Sequence, residues 1–172
     1  VQGQDRFPVD VERLAVEYSN AVFPKDPITK IVPRNFPDFD GILRKGSGPA
    51  DGWRIGYSTQ MTSRGRIRFT IAHEFGHYLL HRHQQSEFQC GDDDIETGDR
   101  NKNDIETDAD QFASTLLMPL DDFRKQVDGQ SVSFDLLGHC ADRYGVSLTA
   151  AALRWIEIAD KRAVIVASRD DH

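Results

Sequence analysis

The feature that most restricts this chain is a pair of histidines four residues apart inside an apolar run, His73-Glu74-Phe75-Gly76-His77. On a helix of about 100° per residue the two imidazoles lie about 40° apart and one turn along, so both can reach one ion. Glu74 lies about 100° round the helix. That offset suits a group that takes a proton from a water beside the metal better than it suits a ligand. Ile71, Phe75, Tyr78 and Leu79 gather roughly opposite the histidines. The pattern predicts a helix with one face in the core and the other on a cleft.

A hydrolytic zinc needs a third protein ligand and an open position. The candidates are Glu106, Asp108, Asp110, His81, His83 and Cys90. Glu106, Asp110, Ala113 and Leu117 form one stripe at helical steps of three or four. Glu106 can therefore ligate while Asp110, one turn on, bonds the outer nitrogen of a zinc histidine. Ala113 on the same stripe allows a close helix approach. The competing reading of 106–110 is an acidic first turn favoured by the helix dipole. His81 is the reserve ligand, although a third histidine on one helix sits too far along the axis for tetrahedral geometry.

The 172 residues suit a single core that needs no staple. With 38% hydrophobic and 28% charged residues the chain reads as globular, and no apolar run reaches the ~18 residues of a membrane span. Cys90 and Cys140 make neither a disulfide framework nor a four-cysteine zinc site, which points to the cytoplasm. No leader of the secretory type follows Val1. The net charge of −7 is concentrated: Gln84 to Gln111 holds ten acids against Arg100 and Lys102, while the rest is close to neutral. Affinity for nucleic acid phosphates is not expected from this balance.

Helical spacing of Val11, Leu14, Ala15, Tyr18 and Val22 predicts a first helix, ended by Pro24 and Pro27. Short strands are expected at 28–32, 41–44, 53–58 and 66–69. Helices follow at 104–118 and 120–127, then at 134–144 and 148–159 with Gly145 as the stop between them and Ser147 as a cap. Ala163 to Ala167 reads as a terminal strand. Arg64, Arg66 and Arg68, alternating on the expected fourth strand, would share one solvated face.

The runs Arg68-Phe69-Thr70-Ile71-Ala72-His73-Glu74-Phe75-Gly76-His77-Tyr78-Leu79-Leu80-His81 and Glu106-Thr107-Asp108-Ala109-Asp110-Gln111-Phe112-Ala113-Ser114-Thr115-Leu116-Leu117-Met118-Pro119 resemble the two hallmark blocks of the ImmA/IrrE metallopeptidase family. The resemblance covers roughly Ile28 to Ile158. It implies an α+β, zincin-like fold, with a small mixed sheet packed on the zinc-binding helix and additional C-terminal helices. On that reading residues 1–130 form the metallopeptidase core and 131–172 a helical segment packed on it. The resemblance also implies a zinc-dependent endopeptidase, with manganese as a substitute metal. Its zinc histidines fall on His73 and His77, its general base on Glu74 and its glutamate ligand on Glu106. The implied partner is a protein substrate, a helix-turn-helix repressor whose cleavage relieves repression in a stress response or mobile element. The segment Gln84 to Asn103 departs from the family in being longer and more acidic, and reads as a flap over the cleft.

Two rival functions have sequence support. Ala141 to Ser147 resembles the turn of a helix-turn-helix, which would make the protein a DNA-binding regulator. However, Arg154 is the only base on the candidate recognition helix, and a packing role is favoured. The other rival is a zinc sensor without turnover, against which the intact Glu74 counts. Calcium binding by Asp92, Asp94 and Glu96 fails because Thr97 stands where an EF-hand loop needs glycine.

Overall fold

The structure, a computed structural model, describes residues 6–48, 51–91, 100–159 and 164. It has the mixed α+β architecture read from the sequence. The elements are α1 (Val11–Val22), β1 (Ile28–Arg34), β2 (Gly41–Lys45), β3 (Trp53–Ser58), α2 (Arg64–Leu80), β4 (Glu87–Cys90), α3 (Arg100–Leu117), α4 (Leu120–Val127), α5 (Phe134–Tyr144) and α6 (Leu148–Ile156). The sheet order is β1-β3-β2-β4, with β1 parallel to β3 and the other two pairings antiparallel. Among the described residues no helix is long and apolar enough to cross a membrane.

Local signals fix the ends of several elements. Asp10 caps α1 by accepting from the Arg13 amide at 3.1 Å. Val11 and Ala15 face the core, and the buried Ser19 hydroxyl accepts from the Ile28 amide at 3.0 Å, tying α1 to the start of β1. Asp26, in the same turn, accepts from Trp53 Nε1 at 3.0 Å, while its carbonyl accepts from the Tyr78 hydroxyl at 2.8 Å. Sheet and central helix are thus clamped to one turn.

One strand expectation is corrected. Residues 66–69 do not form a strand: they lie in the first turns of α2, which opens at Ser63, whose hydroxyl accepts from the Arg66 amide. The Ile67 and Phe69 side chains suit a strand locally, but tertiary anchors override that preference. Arg66 pairs with Asp40, and Arg68 donates to the carbonyls of Gly145 at 2.8 Å and Val9 at 2.6 Å. These two arginines thus hold other parts of the chain and do not line an exposed strand face. The fourth strand is instead β4, inside the acidic segment, where Phe88 alone is buried and the backbone pairs with β2. Of the rest of the expected flap, 100–103 opens α3, while 92–99, with Asp92, Asp94 and Glu96 of the calcium frame, lies outside the described residues. The expected terminal strand also lies outside them, Val164 excepted.

Helix α2 is more enclosed than its sequence suggests. All nine residues from Thr70 to Tyr78 are buried, so the histidine face is covered as well as the apolar one. Its first turn touches the α5–α6 turn so closely that a β-carbon on Gly65 would lie 2.5 Å from backbone atoms of Val146 and Ser147. Gly145 ends α5 in the left-handed conformation, φ 62°, with its amide donating back to Ala141 and Asp142. Cys140, Ala141, Tyr144, Val146 and Ala151 join the same core as the sheet. Arg154, the one base of α6, is 3% exposed and donates to the Met118 carbonyl at 2.9 Å and to Glu157.

Two glycines test this packing. Gly65→Ala should lose about 1–3 kcal/mol of stability by overpacking against rigid backbone. Gly138→Ala, in α5 with nothing within 4 Å of the new carbon, should gain about 0.5–1 kcal/mol. Urea unfolding of the two variants checks both signs, and equal midpoints would refute the close α2 contact.

Candidate metal centre

Helix α3 crosses the histidine face of α2 at short range. A β-carbon on Gly76 would meet Phe112 Cδ1 at 3.1 Å and Ala109 Cα at 3.2 Å, and Ala109 and Ala113 are fully buried. Small residues on both helices let their backbones approach, and this approach brings Glu106 to the histidines. Glu106 Oε2 lies 3.0 Å from His73 Nε2, and Oε1 lies 3.4 Å from His77 Nε2. The two histidine Nε2 atoms are 2.9 Å apart. Each of the three residues offers one donor atom, all within 4.8 Å of one another, so they could hold a metal ion.

The donor set fits a divalent ion. Ligand atoms about 2.0–2.1 Å from a tetrahedral zinc are about 3.3 Å apart; the two histidine nitrogens are 2.9 Å apart, and Glu106 sets one oxygen near each of them. Asp110 Oδ1 lies 2.8 Å from His73 Nδ1, so a carboxylate accepts the outer N–H and leaves the Nε2 lone pair facing inward. Two nitrogens and a carboxylate then converge in a buried space, an arrangement that calls for a cation. Burial works against charge on His73, but its hydrogen bonds to Asp110 and Glu106 outweigh burial and carry the pKa up to about 10. Burial also acts to raise Glu106, yet its bonds to His73 and His77 hold it down at about 2. For His77 burial prevails, and its pKa falls.

Glu74 is fully buried, and among the described residues neither of its carboxylate oxygens has a hydrogen-bond partner. Burial pushes its carboxyl up to about 8, against the opposing pull of His73. An unpaired, buried carboxylate beside three converging donors suits a site built around an ion and a water. The sheet makes room for it. A β-carbon on Gly41, in β2, would lie 2.7 Å from Glu74 Oε1 and 2.5 Å from Thr70 Cγ2. On the other side, Phe88 of β4 stacks on His77 with ring centroids 4.7 Å apart and planes inclined by 15°.

The remaining candidate ligands stay outside the cluster. His81 lies behind His77, 3.2 Å from its Nδ1, and Asp108 lies 3.7 Å from His81 Nε2. His83 is exposed. Cys90 is a free thiol whose pKa burial drives upward, away from the thiolate a metal requires. Gly41 and Phe88 were not legible as site residues. Gly41 reads as the first residue of a short strand, and Phe88 is one aromatic between Glu87 and Gln89 in an acidic stretch.

The cluster predicts the outcome of removing its carboxylate. Glu106→Ala equilibrated with equimolar zinc and then gel-filtered should retain far less metal than the parent protein by elemental analysis. Unchanged zinc content would place the metal elsewhere.

Residues 25–155 match the peptidase family described as IrrE N-terminal-like domain. No curated protein sequence matches the chain. The match spans the sheet, α2 and α3 together, and the chain belongs to the IrrE N-terminal-like family of metallopeptidases.

Proposed function

We propose that this protein is a zinc-dependent endopeptidase, with His73, His77 and Glu106 as metal ligands and Glu74 as general base. The observation that carries this reading is the orphaned, fully buried Glu74 carboxylate next to a three-donor cluster on a peptidase framework. Bound there, zinc, or manganese in its place, supplies a Lewis acid that lowers the pKa of water toward about 7 and polarises a carbonyl. The protein's own groups do the rest. Glu74 takes the proton of the attacking water on a carboxylate oxygen and returns it to the departing nitrogen as the peptide bond breaks. Asp110 holds the His73 ring in the tautomer that presents Nε2. Gly41 leaves the space in which the Glu74 carboxylate sits.

The family implies a protein substrate, and β4 suggests how an extended peptide docks. Among the described residues β4 ends the sheet and pairs only with β2, while its Phe88 touches a metal-site histidine. A peptide can add to that free edge through backbone hydrogen bonds. By its resemblance to the ImmA/IrrE proteins, the substrate is a helix-turn-helix repressor whose cleavage relieves repression. Cleavage of a DNA-bound repressor fits a cytoplasmic protein, as do two free cysteines.

Incubation with zinc or manganese and the repressor-like protein encoded nearby should give discrete fragments. Glu74→Gln should keep its zinc and cut about 10²–10⁴-fold more slowly, and cleavage at the parental rate would overturn the assignment. Gly41→Ala should also keep its metal while kcat falls by about 10–100-fold, because the added carbon displaces the Glu74 carboxylate. An unchanged kcat in that variant would show that the carboxylate position is not critical.

A further inference from the structure

His81 is buried, titratable and unused by the proposed mechanism. It sits at the C-terminal end of α2, where its amide donates to the His77 carbonyl at 2.8 Å, and it is only 4% exposed. Its Nδ1 lies 3.2 Å from His77 Nδ1. Two ring nitrogens at that distance share one hydrogen, so one ring donates and the other accepts. His77 turns its Nε2 toward His73 Nε2 and Glu106. For that nitrogen to present a lone pair, the hydrogen of a neutral His77 must be on Nδ1, which makes His77 the donor and His81 the acceptor. His81 must then carry its own hydrogen on Nε2, the atom 3.7 Å from Asp108 Oδ2. That separation exceeds hydrogen-bond length, yet a carboxylate there still favours an N–H over a lone pair. Phe88 lies against both rings, with centroids 4.7 Å from His77 and 6.3 Å from His81, and helps hold the pair in place.

We infer that His81 is a positioning residue that fixes the tautomer of His77 through an Nδ1–H···Nδ1 hydrogen bond, with Asp108 biasing His81 in turn, and so sets metal affinity. This rests on the reading of His77 as a metal ligand. The site then has two outer supports of different chemistry. His73 is oriented directly by the exposed carboxylate of Asp110, whereas His77 is oriented by a buried imidazole.

The test compares the full chain with His81→Leu, His81→Asn and His81→Gln by zinc competition against a chromophoric chelator. Each apo form is also unfolded in urea. The Asn side-chain carbonyl falls near the former Nδ1, while the Gln amide reaches the former Nε2. Loss of the acceptor in His81→Leu should weaken zinc binding by about 10–100-fold. His81→Asn should recover most of that loss and His81→Gln should not. In the zinc-loaded parent protein, nitrogen-15 spectra of the histidine rings should show hydrogen on Nδ1 of His77 and on Nε2 of His81. Unchanged zinc affinity in His81→Leu, no advantage of Asn over Leu, or hydrogen on Nδ1 of His81 would overturn the inference. If the parent protein binds no zinc, the metal site itself is refuted and this role with it. Parental binding that is unaltered in all three variants would refute His81 alone.

Discussion

The close approach of α2 and α3 is the contact on which the rest depends. Gly76 on one helix and Ala109 on the other bring the backbones together, and only at that spacing does the Glu106 carboxylate reach both histidine Nε2 atoms. Neither helix could hold this arrangement alone. Histidines four apart give two donors along one line, and the third must come from a different element. The packing that excludes water between the helices is therefore the same packing that assembles the cluster.

The electrostatics follow from that enclosure. A fully buried carboxylate with no partner, together with a carboxylate and imidazoles forced within 3.4 Å of one another, is costly in an apolar interior unless something positive is present. These groups shift in opposite directions, His73 upward and Glu106 downward, because each favours charge on the other. A divalent ion held there would supply the positive charge that these groups call for. Asp110 and His81 stand behind the two histidines on the side away from the cluster.

Parts of the chain distant from the site hold α2 in position. Arg68 reaches from its second turn to carbonyls before α1 and after α5, and Gly65 lets the α5–α6 turn close on its start. Tyr78, near its other end, donates to the turn between α1 and β1. The helix is gripped at both ends, which suits an element that must keep two imidazoles in register. Arg154, the only candidate for a base-reading contact on α6, is consumed by the Met118 carbonyl and Glu157. Among the described residues α6 shares the core and presents no exposed base.

The sequence by itself determined the donor types, the spacing of His73, Glu74 and His77, and the stripe that holds Glu106 and Asp110, because these depend on helical periodicity within one element. The α+β class came with the resemblance that the two blocks around these residues carry. Only the tertiary structure decided that 66–69 is helix and 87–90 is strand. In the first case long-range arginine contacts outweigh local preference, and in the second the signal is one aromatic whose value depends on pairing with β2. It alone placed Gly41 against Glu74 and turned His81 from a reserve ligand into a group behind His77. Those facts are distances between elements, and a linear pattern does not carry distances that packing creates.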